Sequence, residues 1–428
     1  MREDYTKVSL SIMQLPDVVT HLFEKAHRPL VLEAKSPVKL YVRYLRRKPE
    51  RGLAVIYDVN AGKQKKEKRG KDLYHSLSLT LNEQALDGSR IRFTETEAQQ
   101  ASCTIQPSGV LEAGALGLAV QPFPADDNLP TLVTCCNPMA QPSLLQDLQR
   151  TVQRYFDDEN WHIVSATVIP VRYKPASRCV LRYLLTVENL AGAVPQRKNV
   201  TVFGKVYADR KQAYAVQSLQ QRLYQEQVAR RGSIVLGQTL ATPLLPQPLG
   251  IDEALGLTFN EAVQPASAEE PLRLGVRALQ VSFDYGHGGE VTNVIIPTRE
   301  LQLTAIALAR LHTSSVQPDT GTKRTGSKEA KRASERAKLI ATANPEQAQE
   351  VRRLSQYLIS RLEAPRDVVY RPAHGGFKAS QLLFHSDQVF VVDFDGFCLA
   401  EAALDVGYFL AYLRPSGLWY GRAGMRQW

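Results

Sequence analysis

The chain has 428 residues, of which 44% are hydrophobic, so it can form two or three domains with buried cores. Its N-terminus is charged, and no window contains the long uncharged apolar run of a membrane span, which argues against a secretory signal and a membrane protein. Five cysteines without a CxxC pair disfavour a zinc site or a disulfide framework. We therefore expect a soluble, cytoplasmic protein.

The net charge of +10 is concentrated in two basic runs, at 63–71 and 323–338. Neither run is interleaved with the aromatic residues on which nucleic-acid bases stack. Solvated loops and an exposed helix face are the favoured interpretation. A nucleic acid is therefore an unlikely partner, although affinity for polyanions remains the weaker alternative.

Two N-terminal segments resemble each other, YLRRKPERGLAVIYDV at 44–59 and PVRYKPASRCVLRYLLTV at 170–187. Aligning their Lys-Pro pairs also aligns Tyr57 with Tyr183. Each copy has the pattern of a strand, a Lys-Pro turn and a second strand, because proline presets the turn and β-branched and aromatic residues follow it. The similarity favours two related sheets, and the alternative is two unrelated hairpins with a common type of turn.

A lysine distinguishes the two copies. Lys205 lies in the next strand of the second copy, NVTVFGKVY at 199–207, whereas the first copy has no lysine between 73 and 81. A lysine inside an apolar strand is costly to bury unless it is paired, and in a kinase nucleotide phosphates and a helix glutamate are its partners. The helix predicted over 209–231 offers Glu226 as a weak candidate for that glutamate. The alternative places Lys205 on the wet face of an edge strand.

A further strand is predicted over 255–263. Its backbone amides around Glu261 and Val263 would suit an adenine ring, and the alternative is an ordinary buried strand.

Helical periodicity returns further along the chain. It predicts a helix over 301–316 and another over 346–362, separated by a polar, basic loop or loosely held helix at about 317–345. His312, at the end of the first helix, is interpreted as a structural cap or core contact and not as a ligand.

Asp393 and Asp395 end the apolar run VFVVDFD. Strand residues two apart point to the same face, and carboxylate oxygens on a rigid strand end suit Mg²⁺ held against phosphates. The alternative is an acidic pair that caps a turn before the helix at 401–413.

The segment around these aspartates resembles the aminoglycoside-phosphotransferase and maltokinase-like kinases, a branch of the protein-kinase-like fold. The loop His374-Gly375-Gly376-Phe377-Lys378-Ala379-Ser380-Gln381 is similar to the HGDxxxxN loop of that family. VVDFDG with Asp393, ALDVGYFLAYL with Asp405, ARLH at 309–312 and the Lys-Pro strands with Lys205 also resemble family features, so the likeness covers about 165–414.

The resemblance implies ATP and Mg²⁺ as cofactors. It implies that Lys205 orients the phosphates and that Asp393 and Asp395 hold the metal, with help from Gln381. His374, Lys378 and Gln381 belong to the catalytic loop, and Gly376 occupies the position of the catalytic Asp.

This chain departs from the family pattern at two positions. Gly376 removes the expected base, and Gln381 replaces an asparagine with a side chain that is one methylene longer. Lys378 would neutralise charge on the transferring phosphate, but a cation is not a base.

The expected fold is α+β and two-lobed, protein-kinase-like, with an additional N-terminal cap domain that resembles a small lobe. The expected domains are a cap at 1–140, an N-lobe at 141–263 and a C-lobe at 264–428 that is incomplete at its C-terminus.

The expected function is an ATP- and Mg²⁺-dependent phosphotransferase that acts on a hydroxyl of a small molecule such as a sugar. The alternative is a nucleotide-binding pseudokinase with a regulatory or scaffolding role, which Gly376 favours.

Overall fold

The computed structural model describes residues 14–26, 39–48, 52–60, 76–87, 90–106, 110–191, 194–240, 243–263, 272–280, 282–285, 291–318 and 322–413. The chain divides into two compact units, residues 1–213 with 251–259, and residues 214–250 with 260–428. The expected three-domain division stays a prediction.

The first half of unit 1 is built on an antiparallel sheet, here called sheet A. The strand order in sheet A is β1-β2-β3-β8-β7-β6, and β4 and β5 form a separate hairpin. The elements in this part are α1 (Leu15–Lys25), β1 (Lys39–Lys48), β2 (Gly52–Asn60), β3 (Ser76–Leu81), β4 (Leu86–Asp87), β5 (Arg90–Ile91), α2 (Glu95–Gln100), β6 (Thr104–Ile105), β7 (Leu111–Ala113), β8 (Leu118–Pro122) and α3 (Leu132–Cys135).

Helix α1 covers one face of sheet A. It begins with Pro16 in its first turn, where the missing N–H costs nothing. Its apolar residues recur at helical spacing, and alternate residues of β2 and β3 point to the same side. The shared core therefore contains Leu15, Val18, Val19, Leu22, Leu53, Val55, Tyr57, Leu77, Leu79 and Leu81, all buried.

The second sheet, sheet B, has the strand order β14-β15-β11-β10-β9, so β11 is a central strand. Alternate residues of β10 and β11 are buried on one face, for example Leu181, Tyr183, Val202 and Val206. The elements in this part of the chain are α4 (Pro142–Phe156), β9 (Trp161–Lys174), β10 (Arg178–Asn189), β11 (Gln196–Tyr207), α5 (Arg210–Ala229), β12 (Ile234–Val235), β13 (Gln238–Thr239), β14 (Pro248–Asp252) and β15 (Leu257–Glu261).

Sheets A and B repeat the same helix and three-strand meander. Pro142, which starts α4, follows Pro16 by the same number of residues as Lys174 follows Lys48. Both Lys-Pro hairpins close alike, because Lys48 pairs with Gly52 and Lys174 pairs with Arg178. The strands across 38–81 have the order β1-β2-β3 and those across 165–207 have the order β9-β10-β11, so the expected match between the two sheets is confirmed.

The repeat also includes the hairpin that follows in each sheet. Both β7–β8 and β14–β15 turn through the sequence Ala-Leu-Gly-Leu, with φ of 61° at Gly117 and 62° at Gly256. The Asn82 amide donates to the Gly117 carbonyl at 2.9 Å, and the Tyr207 amide donates to the Gly256 carbonyl at 3.0 Å. Each third strand is thus joined to its hairpin at the same point.

The strand register identifies the residue that takes the place of Lys205 in sheet A. Ala54 lies two residues after the hairpin closure at Gly52 and pairs with Thr80. Val180 lies two residues after Arg178 and pairs with Lys205. Thr80 is therefore the counterpart of Lys205.

Unit 2 is mainly helical, with short sheets of order β16-β20-β21, β17-β18, β19-β22 and β12-β13. Its core joins α7 to β20 and β21 through buried residues that include Leu308, Leu311, Phe384 and Val391. The elements are β16 (Arg273–Leu274), α6 (Gly275–Ala278), β17 (Ser282–Tyr285), β18 (Val291–Ile295), α7 (Thr298–His312), α8 (Gly326–Ala343), α9 (Ala348–Glu363), β19 (Arg371–Ala373), β20 (Leu382–His385), β21 (Gln388–Val391), β22 (Cys398–Ala400) and α10 (Ala403–Tyr412).

The α+β class is confirmed, since helices and antiparallel sheets both form large parts of the chain. The basic stretch expected as a loop or loosely held helix forms the regular helix α8, where the Thr325 hydroxyl accepts from the Lys328 amide at 3.3 Å. None of the described helices is long and apolar enough to span a membrane. The basic run at 63–71 and the segment after 413 lie outside the described residues.

Candidate functional site

The loop that follows β19 is held at its start by a buried carboxylate. Asp405 of α10 is fully buried and accepts from the amides of His374 at 2.7 Å and Gly375 at 2.9 Å. His312, at the end of α7, donates from Nε2 to the same carboxylate at 3.2 Å. These bonds compensate the buried charge and fix the loop relative to two helices. The interpretation of His312 as a core contact is confirmed.

The His374 ring is buried. Its Nε2 carries the proton, because this atom bonds the Val392 carbonyl at 3.1 Å. Burial lowers the pKa of His374, partly offset by the nearby Asp405. Nδ1 has no hydrogen-bond partner among the described residues, and the ring packs 5.1 Å from Phe394. His374 therefore has a structural role, in which its buried ring supports the loop.

The two glycines of the loop differ in what the backbone demands of them. Gly375 has a φ of 74°, and a Cβ there would lie 2.0 Å from the Gly396 carbonyl oxygen, so only glycine suits this position. Gly376 does not have positive φ, and no heavy atom outside its chain neighbours lies within 4 Å of its Cβ position in the described structure. The fold therefore requires Gly375 but leaves room for a side chain at Gly376.

Arg324 holds the loop from the other side. Its Nη1 donates to the Gly375 carbonyl, while Nε and Nη2 each bond Glu329 at 2.7 Å. With Asp405 on the Gly375 amide, both polar groups of that residue are fixed. Sequence reasoning missed this contact, because Arg324 lies in a basic run interpreted as solvated, and no local pattern separates it from its neighbours.

Gln381 ends the loop and carries an orphan polar atom. Its backbone amide donates to the Lys378 carbonyl at 2.9 Å, and its backbone carbonyl accepts from the Val392 amide at 3.0 Å. The side chain is buried, yet Oε1 has no hydrogen-bond partner among the described residues. A buried amide oxygen without a donor is a costly group that a cation would satisfy.

Asp393 and Asp395 lie beyond the strand and not at its end as expected. Strand β21 stops at Val391, and Asp393 has a φ of 71° and begins the 3-10 turn Phe394–Gly396. Left-handed backbone ends the alternation that would have placed both carboxylates on one strand face. Both charges act on His374 and favour its protonated form, which places them near the loop.

These groups suit Mg²⁺ by their chemistry. Mg²⁺ in phosphate sites takes one or two carboxylates and leaves its other positions to waters and phosphates. Asp393, Asp395 and the Gln381 amide oxygen would be such a set. No cluster of three or more His, Cys, Asp or Glu side chains suited to a metal occurs in the described ranges.

Lys378 belongs to the same loop. Its backbone is extended, with φ of −161° and ψ of 161°, and the preceding Phe377 is fully buried. Lys378 is half-buried and follows Gly376 by two residues in the loop. The Lys378 ammonium lies 5.1 Å from the ring centroid of Tyr412.

Lys205 belongs to unit 1. It is half-buried on the central strand β11, on the face opposite the buried Val206, so the alternative of an edge strand is wrong. Its ammonium lies 5.1 Å from the Tyr207 ring centroid. A pairing of Lys205 with phosphates stays a prediction.

The remaining candidates have protein partners. The backbone amide of Glu261 donates to the Gln247 carbonyl at 2.8 Å. It would have to give up this bond to contact an adenine ring. Adenine recognition by Glu261 and Val263 stays a prediction. Glu226 accepts from the amide of Ser315 at 2.7 Å and from the Ser314 hydroxyl. Its carboxylate thus anchors the end of α7, which gives Glu226 a role other than the expected lysine partner.

The comparisons with known proteins agree with the sequence resemblance. Residues 283–425 match the model of the phosphotransferase enzyme family (APH), which confirms the resemblance for this part of the chain. No curated protein matches the chain.

Solved structures of kinases are also similar to this chain, at low identity. A choline/ethanolamine kinase family protein from Mesorhizobium loti is 11% identical. The match covers 56% of this chain and 62% of that protein, with a TM-score of 0.33. A choline kinase from Cryptosporidium parvum is 12% identical, with coverages of 63% and 70% and a TM-score of 0.36. A glucosamine kinase bound to glucosamine, ADP and inorganic phosphate is 12% identical, with coverages of 98% and 84% and a TM-score of 0.34. TM-scores of this size say nothing further about this chain.

Proposed function

We propose that this chain, whose residues 283–425 match a phosphotransferase family, is an ATP- and Mg²⁺-dependent phosphotransferase that acts on a hydroxyl of a small molecule such as a sugar. The observation that carries the proposal is the buried Oε1 of Gln381, which has no partner among the described residues, on a residue whose backbone carbonyl accepts from the amide of Val392, the residue before Asp393. When bound, Mg²⁺ would neutralise phosphate charge and help to orient the transferring group.

The residues of the chain would have separate tasks. Asp393, Asp395 and Gln381 would hold the metal, and Lys378 would lie beside the transferring phosphate. Lys205 would bind the other phosphates. Asp405 and Arg324 would keep the loop rigid, because a loop that carries metal and phosphate groups must hold them within a fraction of an ångström.

Calorimetry of Mg-ATP binding tests the metal site. Asp393→Asn and Gln381→Leu should each weaken the affinity for Mg-ATP at least tenfold, since each removes an oxygen from the metal. Asp387→Asn is the matched control, because Asp387 is exposed and pairs with Arg299 on the surface. Equal affinity in all three variants would show that this loop is not the nucleotide site.

A nucleotide-binding pseudokinase is the second candidate function, and Gly376 is the observation that favours it. Gly376→Asp distinguishes the two functions, since the position has room for the side chain. Phosphotransfer by a slow enzyme should rise at least tenfold, since a positioned base typically contributes about 10²- to 10⁴-fold. A folded variant that binds Mg-ATP without any gain in turnover would favour the pseudokinase.

A further inference from the structure

The geometry points to an acceptor that carries its own carboxylate next to the hydroxyl that is phosphorylated, a hydroxy acid or sugar acid whose carboxylate occupies the space beside Gly376 and takes the hydroxyl proton. This inference rests on the proposed function and names its substrate class.

The space beside Gly376 is not imposed by the fold. The required glycine of the loop is Gly375, whose Cβ would lie 2.0 Å from the Gly396 oxygen, whereas Gly376 has open space at its Cβ position. Of the two glycines, Gly376 is thus the one whose position would accept a side chain. The backbone that leads into this gap is fixed, because Asp405 holds the Gly375 amide and Arg324 holds the Gly375 carbonyl.

The charge beside the gap selects an anion. Lys378 is half-buried and lies two residues after Gly376, so its long side chain is within reach of the open space at Gly376. Its neighbour is the uncharged Tyr412 ring, with the ammonium 5.1 Å from the ring centroid. The other cation near the loop, Arg324, is occupied by a bidentate pair with Glu329. Lys378 is thus the cation placed to bind a carboxylate in the gap.

The protein offers no equivalent base in the same loop. Nε2 of His374 is bonded to the Val392 carbonyl, and its Nδ1 is buried. A carboxylate on the acceptor has about the basicity of an Asp side chain, whose pKa is about 3.9. An acceptor that brings this group would therefore replace the missing side chain with the same chemistry.

The reaction balances with the acceptor as its own base. The acceptor hydroxyl oxygen forms a bond to the γ-phosphorus, and the bond between that phosphorus and the β–γ bridging oxygen breaks with its electrons going to ADP. The hydroxyl proton moves to the acceptor carboxylate and is released to water after the product leaves.

Matched acceptors test the inference with the full chain, Mg²⁺ and ATP, by ADP formation. Glycerate is compared with glycerol, and glucuronate with glucose. We expect kcat/KM of the wild type to be at least tenfold higher for each acid than for its neutral partner, as a positioned base would give. Gly376→Asp should invert this preference, because its own carboxylate fills the gap, serves neutral acceptors and repels acids.

Lys378→Gln should reduce the preference for acids at least tenfold, and Lys331→Gln, on the exposed face of α8, is the control for surface charge and should leave it unchanged. If Gly376→Asp does not fold, the wild-type acceptor pairs and Lys378→Gln still decide. Equal use of acids and neutral partners by the wild type, or equal effects of the two lysine variants, would overturn the inference while leaving phosphotransfer intact. No turnover of either member of both pairs by wild type or Gly376→Asp, with Mg-ATP bound, would instead overturn the proposed function.

Discussion

Sheets A and B have the same scaffold and differ in the residues that chemistry would need. Both begin with a proline-started helix, continue through a Lys-Pro hairpin, and join an Ala-Leu-Gly-Leu hairpin through the same backbone hydrogen bond. At the register position of Lys205 in sheet B, sheet A has Thr80. The elements that the fold needs are repeated, and the cation is not.

The segments that follow the third strand also differ between the two sheets. In sheet B, β11 leads directly into the long helix α5. In sheet A, β3 leads into a 3-10 turn, a short hairpin and the short helix α2, where Glu97 is used in a capping box with Thr94. Sheet A thus lacks a lysine on its third strand and a long helix after it. The difference agrees with the proposal that Lys205 of sheet B binds nucleotide phosphates, and it predicts that sheet A has a structural role.

The largest expected effect tests the difference at Lys205. Lys205→Ala should weaken Mg-ATP binding by about 10- to 100-fold, because a hydrogen bond to a charged group contributes about 1.5–3 kcal/mol. Thr80→Ala, at the matching position of sheet A, should leave the affinity unchanged. Isothermal calorimetry checks both. A loss in the Thr80 variant, or none in the Lys205 variant, would break the assignment of nucleotide binding to sheet B.

How much of this comparison the sequence predicts depends on the kind of signal. The Lys-Pro repeat was visible because a turn and its flanking strands are local, and the register then identifies Thr80. The Ala-Leu-Gly-Leu match around Gly117 and Gly256 is only four residues long and does not establish a repeat by itself; the common backbone hydrogen bond of the two hairpins does.

The candidate site was predicted in part, for physical reasons that differ between residues. The structure brings His374, Asp405, Gln381 and Asp393 together in unit 2, and the resemblance to the kinase family pointed to all four. The contact of Arg324 with the Gly375 carbonyl depends on tertiary packing, which a charge pattern does not encode. Asp393 leaves the strand because of its left-handed backbone, whereas apolar alternation reports side-chain direction only where the strand continues.

An intermediate effect is expected at the equivalent tyrosines of the two sheets, Tyr57 and Tyr183, both fully buried in unit 1. The Tyr183 hydroxyl donates to the Cys135 carbonyl at 2.8 Å, whereas the Tyr57 hydroxyl has no partner among the described residues. Tyr183→Phe should therefore lower the free energy of unfolding by about 1 kcal/mol, and Tyr57→Phe should leave it unchanged or raise it.

Urea unfolding of the two variants measures this difference, and because both residues lie in one compact unit, the same transition reports both. Equal losses of stability would mean that the Tyr57 hydroxyl also has a hydrogen-bond partner, outside the described residues. The two sheets would then not differ at this tyrosine.

The smallest expected effect concerns a carboxyl pair present in sheet B alone. Asp147 of α4 has a raised pKa, because it is partly buried and then because Asp252 of β14 lies beside it. The same positions of sheet A, counted from Pro16 and from Gly117, are His21 and Ala113. Since the folded state favours protonated Asp147, the stabilising contribution of Asp147 is present at pH below its ordinary pKa of about 3.9 and is lost as pH rises through the folded value.

Asp147→Asn should consequently raise the melting temperature at neutral pH, and its advantage over the wild type should shrink as the pH is lowered towards 4. Asp158→Asn is a control of opposite sign. Bonds from Asn160 and Asn189 lower the pKa of Asp158, so its contribution is present above the ordinary pKa and is lost in acid. Melting curves of the Asp147 variant between pH 8 and 4, and of the Asp158 variant extended below pH 4, check the signs. An Asp147 variant that is less stable than the wild type at neutral pH would show that the salt bridge of Asp147 to Arg150, at 3.2 Å, outweighs the repulsion from Asp252.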